Sequence, residues 1–543
     1  MKQEDIAIVG MSIYCPGGDT LEEFWSNLAN GVDCIIDAPD NMIESFYFDE
    51  YAEGALDRYY CRRGGFCRPF KVDPLRYGFM PVTIQGIEPE QMYSLAGVEQ
   101  ALDDAGVFEK KLSLSNCSII IGRGNFSGII PLRCAEYNRS ADQIAEILRI
   151  ALPDLPEEDV LKAKRAYQGR LGRYKADSAI GTMPSLVASL VANKFNMHGP
   201  AYTIDAACAS GIVAIEHSSA LLMSGQCDIA VAGGIHLMHS AMFWSAFNMM
   251  GAISHKQAIA PFSRDADGLL VGQGAGFVVI KTLKRAIADG DRIYAVIKGT
   301  AISSDGKGTH VMVTSVDGEK AALAKAWKRA GLDPMKDIGL IEAHGTGTPV
   351  GDRNELTAMT EFFGGSERPE AFIGSVKSNL GHTMPAAGMI GFIKATLALY
   401  HRKIPPTLHC ENPLDIMESS RFSAPTKLAE WDEAKHPLVA GVNAFGFGGV
   451  NSHAVLAAYA PPPGGIRKPF FYYGEAIVAS AESQDALVRK LQSGDYTHTG
   501  GDWRIAMFNP TEERLKWAVE VVQAGAPWRG RLDIWFTNKP LLR

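Results

Sequence analysis

Apolar runs of strand length recur along the chain: DIAIVGM (5–11), CSIIIGRG (117–124), DIAVAGGI (228–235), GFVVIKTL (276–283), YAVIKGTAI (294–302), GLIEAH (339–344) and FIGSVKS (372–378). Between them lie segments of helical period: EPEQMYSLAGVEQALDDAG (88–106), SGIVAIEHSSALLMSG (210–225), DGEKAALAKAWKRAGL (317–332) and GMIGFIKATLALYHR (388–402). Short apolar strands separated by helices predict an α/β architecture. Residues 127–178 break the rhythm with charged helical sequence, read either as an inserted, lid-like excursion or as an ordinary surface helix pair. After NSHAVLAAYAPPPGG (451–465) the character changes, and PPPGG signals a linker. The tail, 466–543, has a strand candidate, FFYYGEAIVAS, and a helix candidate, SQDALVRKLQSG. It is too small for a second large catalytic core, and its one histidine, His498, stands in a polar stretch. We read it as an adaptor module, against the alternative that it begins a further domain.

At 543 residues the chain exceeds one ordinary domain, and 46% hydrophobic with 21% charged residues is a globular composition. A net charge of -8 argues against a general nucleic-acid binder. The opening MKQEDIAIVGM lacks the basic start and apolar run of a signal peptide, and no apolar stretch is long enough to span a bilayer. The nine cysteines are scattered without a CxxC pair, and no zinc-spaced cluster surrounds Cys61 and Cys67. The expectation is a cytoplasmic protein with reduced thiols, no membrane segment and no bound metal.

Cys208, in TIDAACASG (203–211), sits between a strand candidate and a helix candidate. Taken alone it is either a packing residue or a nucleophile. At a helix N-terminus, free N–H groups and the dipole would stabilise a thiolate. Two histidines sharpen the choice. His344 ends an apolar strand in EAHGTGTPVGD, and His382 lies between a strand and a helix in VKSNLGHTMPAAGMIGFIK. Such loops are where α/β proteins gather functional groups. His217 and His409 lack this setting and read as surface or packing residues. In GVNAFGFGGVNSHAV (441–455), Gly446, Gly448 and Gly449 bracket Phe447, a turn suited to backbone N–H donation to an oxyanion and lacking the ending of a phosphate loop.

Together these segments resemble the β-ketoacyl synthases of the thiolase superfamily. PFSRDADGLLVGQGAG (261–276) and IPPTLHCENP (404–413) extend the resemblance, which runs from about residue 4 to 460. It implies a five-layer αβαβα fold of two pseudo-duplicated halves, 1–270 and 271–465. The tail 466–543 resembles the post-ketosynthase linker of type I polyketide synthases. By this resemblance Cys208 accepts an acyl chain from a phosphopantetheine thioester, and His344 and His382 assist decarboxylation of a malonyl extender. Lys377 would orient or polarise the site, with a buried structural ion pair as its other reading. Backbone N–H groups of Cys208 and Phe447 would hold the oxyanion, the Phe447 ring would gate the pocket, and Thr346 and Thr348 would bind the pantetheine arm. The resemblance also implies no bound cofactor, an acyl carrier protein as partner, neighbouring megasynthase domains such as an acyltransferase, and a homodimer.

Four stretches depart from the family pattern. TIDAACASG replaces the commoner D-T-A-C-S-S-S-L, Gln273 stands where glutamate is usual, and SSDGKGTHVMVT (303–314) differs from N-x-D-G…P. Segment 78–106 lacks the M-D-P-Q-Q run and is closer to iterative, polyunsaturated-fatty-acid-synthase-like enzymes. A gatekeeping ketosynthase without elongation would lack a histidine, and a scaffold or chain-length-factor-like subunit would lack the cysteine. A degradative thiolase would carry a second cysteine in place of the HGTGT and KSNLGH pair.

Overall fold

The apolar runs pair with one another. The computed structural model describes the chain apart from residues 1–3, 40–41, 53–54, 56, 81–82, 125–127, 173–178, 308–312, 461–475, 497–499, 509, 530–533 and 540–543. The PPPGG signal, the first half of FFYYGEAIVAS, much of 303–314 and His498 therefore lie outside the described residues. The chain divides into two compact units, Met1–Ala460 and Pro461–Arg543.

The large sheet of the first unit is built from β1 (Ile6–Tyr14), β2 (Cys117–Arg123), β3 (Ala201–Ile204), β4 (Ile229–His236), β5 (Gly274–Thr282), β6 (Ala295–Ser304), β7 (Leu340–Glu342), β8 (Ala371–Gly374), β9 (Phe422–Ser423), β10 (Val439–Gly446) and β11 (Val450–Ala458). They form one mixed sheet in the order β9-β8-β7-β10-β11-β6-β1-β5-β4-β2-β3. Its two sides repeat one pattern. Outward from β1, the pairings with β5 and then β4 are antiparallel, and those with β2 and β3 are parallel. Outward from β6, the pairings with β11 and β10 are antiparallel, and those with β7 and β8 are parallel. The duplication invisible in the residues is thus written in the strand directions.

Helices α1 (Pro89–Asp104) and α2 (Leu186–Lys194) cover one outer face, above a core that includes Val9, Leu95, Val98, Ile119 and Phe277. Helix α3 (Ser210–Met223) follows β3, and a short helix, α4 (Ala241–Met249), follows β4. On the other outer face lie α5 (Val316–Ala330) and α6 (Pro349–Phe363), above Leu323, Trp327, Ile341 and Met359. Helix α7 (Ala387–His401) packs against α3 between the two halves of the sheet, completing an αβαβα succession. Every residue from Ala387 to Leu399 is buried, as expected of a helix that is apolar on all faces apart from Lys394 and Thr396. A Cβ on Gly211 would stand 2.7 Å from the Met389 nitrogen, so the two central helices approach at near-backbone contact.

The excursion between β2 and β3 is helical over Ile129–Ala135, Ala141–Ala151 and Glu157–Leu171. The entry to α1 holds both of its feet. The Glu88 carboxylate accepts from the N–H groups of Ile129 (3.3 Å) and Ile130 (2.6 Å), while the Gln91 amide donates to the carbonyls of Ile180 (2.8 Å) and Met183 (3.2 Å).

One sequence expectation is corrected. FIGSVKS is a strand only to Gly374; Lys377–Leu380 is a helical turn, because the Val376 N–H leaves the ladder for the Glu342 carboxylate (2.7 Å). The glycine-rich 441–455 is a full β-hairpin, β10 and β11, with GFGG at its tip. The strand before Cys208 is partly exposed, because β3 is the edge of the sheet.

The second unit is a four-stranded antiparallel sheet: β12 (Ala476–Ala481), β13 (Trp503–Phe508), β14 (Trp528–Arg529) and β15 (Ile534–Thr537), in the order β12-β13-β15-β14. Helices α8 (Gln484–Ser493) and α9 (Glu512–Ala524) pack on it around Leu487, Ile505, Val522 and Phe536.

Candidate active site

Between β3 and α3 the chain makes a tight elbow. Ala207 adopts φ 49°, a left-handed conformation that is costly for a residue with a Cβ. The Ser210 hydroxyl pins it, accepting from the Ala206 N–H (2.8 Å) and donating to the Ala207 carbonyl (2.6 Å). Cys208 is thereby presented just ahead of α3, buried, with its own N–H and that of Phe447 turned toward its sulfur. The residue pattern alone predicts a stabilised thiolate. Burial outweighs Lys377 and the two N–H groups, however, and pushes the Cys208 thiol up to about 11.

The GFGG tip arrives from β10. Gly446 packs onto the elbow at Ala206, while Gly448 (φ 95°) and Gly449 (φ 78°) turn the chain back into β11. The turn is tied down by Asp305, whose N–H donates to the Gly449 carbonyl (2.9 Å) and whose carboxylate accepts from the Asn451 amide (2.6 Å). Phe447 is 45% exposed, its ring 6.4 Å from that of Phe247.

His344 follows β7, and His382 follows the turn Lys377–Leu380. The Phe445 N–H donates to His344 Nδ1 (3.4 Å), and the Met384 N–H donates to His382 Nδ1 (3.2 Å). A backbone N–H can only donate, so each Nδ1 is an acceptor and each Nε2 carries the proton. The ring centroids are 5.5 Å apart at 83°. Burial and the charge of Lys377 hold both imidazoles well below the ordinary histidine range, and hence neutral. Lys377 is buried, near enough to Cys208, His344 and His382 for its charge to act on all three. Burial lowers its pKa against the pull of Glu342 and Glu355.

Cys208, His344, His382, Thr346, Thr348, Gly446, Phe447, Gly448 and Gly449 all line one cavity of about 350 Å³, together with Met250, Leu269, Asp305 and Val350. The hydroxyls of Thr346 and Thr348 lie 2.9 Å apart. Of the residues given a role in the site by the sequence, Lys377 stands outside this lining. His217 instead meets the Tyr202 hydroxyl (3.3 Å), and His409 meets Asp33 (3.4 Å). Among the described residues no group of His, Cys, Asp and Glu is arranged to hold a metal, and no helix is long and apolar enough to cross a membrane.

This arrangement sets a thiol, two fixed N–H donors and a pair of converging backbone N–H groups around one apolar-walled space. The sequence profile of the β-ketoacyl synthase N-terminal domain matches residues 3–286, and that of the C-terminal domain matches residues 294–411. The chain belongs to the β-ketoacyl synthase family. Its activity class is acyl transfer with carbon–carbon bond formation. The ketosynthase is 34% identical over 469 residues to a polyunsaturated fatty acid synthase chain of Thraustochytrium sp., covering 84% of this chain and 16% of that protein. It is 32% identical over 477 residues to polyketide synthase PksN of Bacillus subtilis, covering 84% of this chain and 8% of that one. The chain thus spans a small fraction of these relatives. Among solved structures, it resembles the oxazolomycin ketosynthase domain OzmH KS7 of Streptomyces albus, with a TM-score of 0.73 and 26% identity over 98% of this chain and 90% of that one. It also resembles the PfaC keto synthase–chain length factor, with a TM-score of 0.71 and 30% identity over 91% and 53%. The mixed sheet and its helical layers are those of the thiolase-like ketosynthases.

Several residues that shape the ketosynthase site are not evident from the sequence. Glu355 accepts from the N–H groups of His344 (2.7 Å) and Gly345 (2.8 Å) and from the Asn443 amide (2.8 Å). Asp352, pushed up to about 7 by burial, accepts from Phe262 (2.8 Å) and Gly347 (3.2 Å). The available signal is the i, i+3 carboxylate pair in the first turns of α6. Glu342, alone inside the apolar run GLIEAH, pairs with Lys394 at 2.6 Å with both side chains buried. Glu319 is fully buried on α5, both its oxygens lack a hydrogen-bond partner among the described residues, and burial with Glu355 and Asp305 nearby pushes it up to about 9.

Proposed function

We propose that this chain catalyses decarboxylative Claisen condensation of an acyl chain with a malonyl-type extender, both delivered as phosphopantetheine thioesters by an acyl carrier protein. The Cys208 sulfur attacks the incoming thioester carbonyl, its proton leaving with the pantetheine thiol. The oxyanion formed on the acyl oxygen is received by the N–H groups of Cys208 and Phe447. The extender then loses carbon dioxide. The electron pair of the broken C–C bond passes into an enolate, whose oxygen accepts from Nε2–H of His344 and His382. The enolate carbon attacks the Cys208 thioester, the thiolate leaves and is reprotonated, and a β-ketoacyl thioester remains on the carrier. Thr346 and Thr348 would hold the pantetheine arm, the Phe447 ring would gate entry, and Lys377 would set the field that keeps both imidazoles neutral.

The observation that carries this reading is the fixed tautomer of the two histidines. Both Nδ1 atoms are occupied by backbone N–H donors, and both rings line the cavity of Cys208. No resident cofactor enters the scheme. The half-exposed edge strand β3, directly before the elbow, supports a homodimer that pairs across a two-fold axis there. A cytoplasmic megasynthase setting, with neighbouring domains such as an acyltransferase and the second unit as adaptor, fits the relatives' size. The test is intact mass after incubation with an acyl thioester, followed by a malonyl thioester. Mass gain mapped to Cys208, then release of a β-ketoacyl product, is expected. Acylation at another residue, or loading without carbon dioxide release, overturns it.

A further inference from the structure

Two buried polar side chains that the scheme above leaves unused lie behind His382. The backbone of His382 is held like a strand residue: its N–H donates to the Leu270 carbonyl (2.7 Å), and its carbonyl accepts from the Gly272 N–H (2.8 Å). The segment Leu270–Gln273 is therefore the frame on which the His382 ring is mounted. Its opposite edge is bonded to Gly65, through Gly65 N–H to Val271 (2.9 Å) and Gln273 N–H to Gly65 (2.8 Å).

The Gln273 side chain ties that frame to the loop after β4 by hydrogen bonds, and His239 of that loop sits against it. The Gln273 amide donates to the Leu237 carbonyl (2.8 Å) and accepts from the Cys67 N–H (3.0 Å). Leu237 is fixed in turn, because its N–H donates to Glu90 (3.0 Å), itself paired with buried Arg123. His239, two residues on, is boxed by Phe66, Phe243 and Trp244. The Trp244 indole N–H donates to His239 Nδ1 (3.3 Å), which leaves the proton on Nε2. That edge faces the Gly272 carbonyl without closing a full hydrogen bond. Gln273 also explains why an amide stands at this position: a carboxylate there could accept from Cys67 but could not donate to Leu237.

We infer that His239 and Gln273 are positioning residues, clamping Leu270–Gln273 to the loop after β4 and so fixing where the Nε2–H of His382 points. The inference rests on the condensation reading. It predicts a loss confined to decarboxylation, since Cys208 loading uses other groups.

The experiment compares the wild-type 543-residue chain with His239→Phe, His239→Gln and Gln273→Glu. Each is assayed for decarboxylation of malonyl-N-acetylcysteamine and for Cys208 acylation by hexanoyl-N-acetylcysteamine. His239→Phe and Gln273→Glu should lower the decarboxylation kcat by about 10-fold or more, as expected when a reacting group is misplaced by a fraction of an ångström to an ångström. KM and the acylation rate should stay near wild type. His239→Gln, which retains a donor toward Gly272, should restore most of the rate. Wild-type decarboxylation in both Phe and Glu variants overturns the clamp, as does a parallel fall of acylation. If His239→Phe gives no cooperative melt, the near-isosteric Gln273→Glu decides. If the wild type itself neither loads nor decarboxylates, the condensation reading has failed. The clamp is then judged by a crystal structure of Gln273→Glu, where an unmoved His382 ring overturns it and a displaced one supports it.

Discussion

Gly446, at the end of β10, lies so close to Ala206 that a Cβ on it would press into the Ala206 carbonyl oxygen. The GFGG tip and the nucleophile elbow are therefore one packed unit, and the Phe447 N–H is registered against Cys208 by contact. Gly446→Ala should destabilise the protein by about 1–3 kcal/mol, the usual cost of forcing an extra carbon into a filled space. It should also slow Cys208 acylation, because the two oxyanion donors are pushed apart. A thermal melt and an acylation time course check this; an unchanged acylation rate would mean the donors are set independently.

The two histidines should separate loading from condensation. His344→Ala and His382→Ala each remove one N–H donor from the enolate site and leave the elbow intact. Cys208 should still gain the mass of an acyl group, while carbon dioxide release from a malonyl thioester falls by roughly 10²–10⁴-fold. Cys208→Ala should abolish the mass gain. Near-wild-type condensation in both histidine variants would remove the basis of the scheme.

What is legible in the sequence is the chemistry carried by residues in unusual company: a cysteine among small residues at a strand-to-helix turn, and histidines in glycine-rich loops. The cavity brings these together. What is not legible depends on partners distant in the chain. Glu355 looks like any acidic residue early in a helix until its oxygens are found on His344 and Gly345. The sign of the Cys208 shift is hidden because a dipole is visible in the helix pattern, whereas the burial that opposes it comes from a core cluster whose members are scattered along the chain from Ile35 to Met384. The two-fold repeat of the fold resides in strand directions, which hydrophobic pattern does not encode. The glycines of GFGG read as a turn, which they form, but the two long strands that this turn joins are not legible from them.

Dimerisation should be visible without ligands. The β3 edge offers unpaired backbone groups beside the elbow, and a second copy can satisfy them by the same surface. Sedimentation at micromolar concentration should give twice the 58.7 kDa chain mass. A single species at the chain mass would remove β3 as an interface.

The Cys208 thiol should respond to alkali in a particular way. Its pKa is raised, so the reactive thiolate is scarce at neutral pH and grows as the pH climbs toward about 11. The rate of iodoacetamide alkylation, mapped to Cys208, should keep rising beyond pH 9. A plateau below pH 9 would show that Lys377 and the two backbone N–H groups dominate after all.

Glu319 gives a pH effect on stability with a definite sign. Its carboxyl is raised from 4.5 to about 9 in the folded chain. Below pH 4.5 both folded and unfolded forms are protonated, and the group costs nothing. Between 4.5 and 9 the unfolded form ionises while the buried one does not, so the unfolded state is favoured increasingly, by up to about 1.4 kcal/mol per pH unit. Glu319→Gln removes that proton linkage while keeping size and polarity. The variant should melt higher than the wild type at pH 8, and the gap should narrow steadily toward pH 5. Paired thermal melts across that range provide the check. A gap that is constant with pH, or that opens toward acid, would mean that Glu319 is ionised in the fold and held by a charge partner.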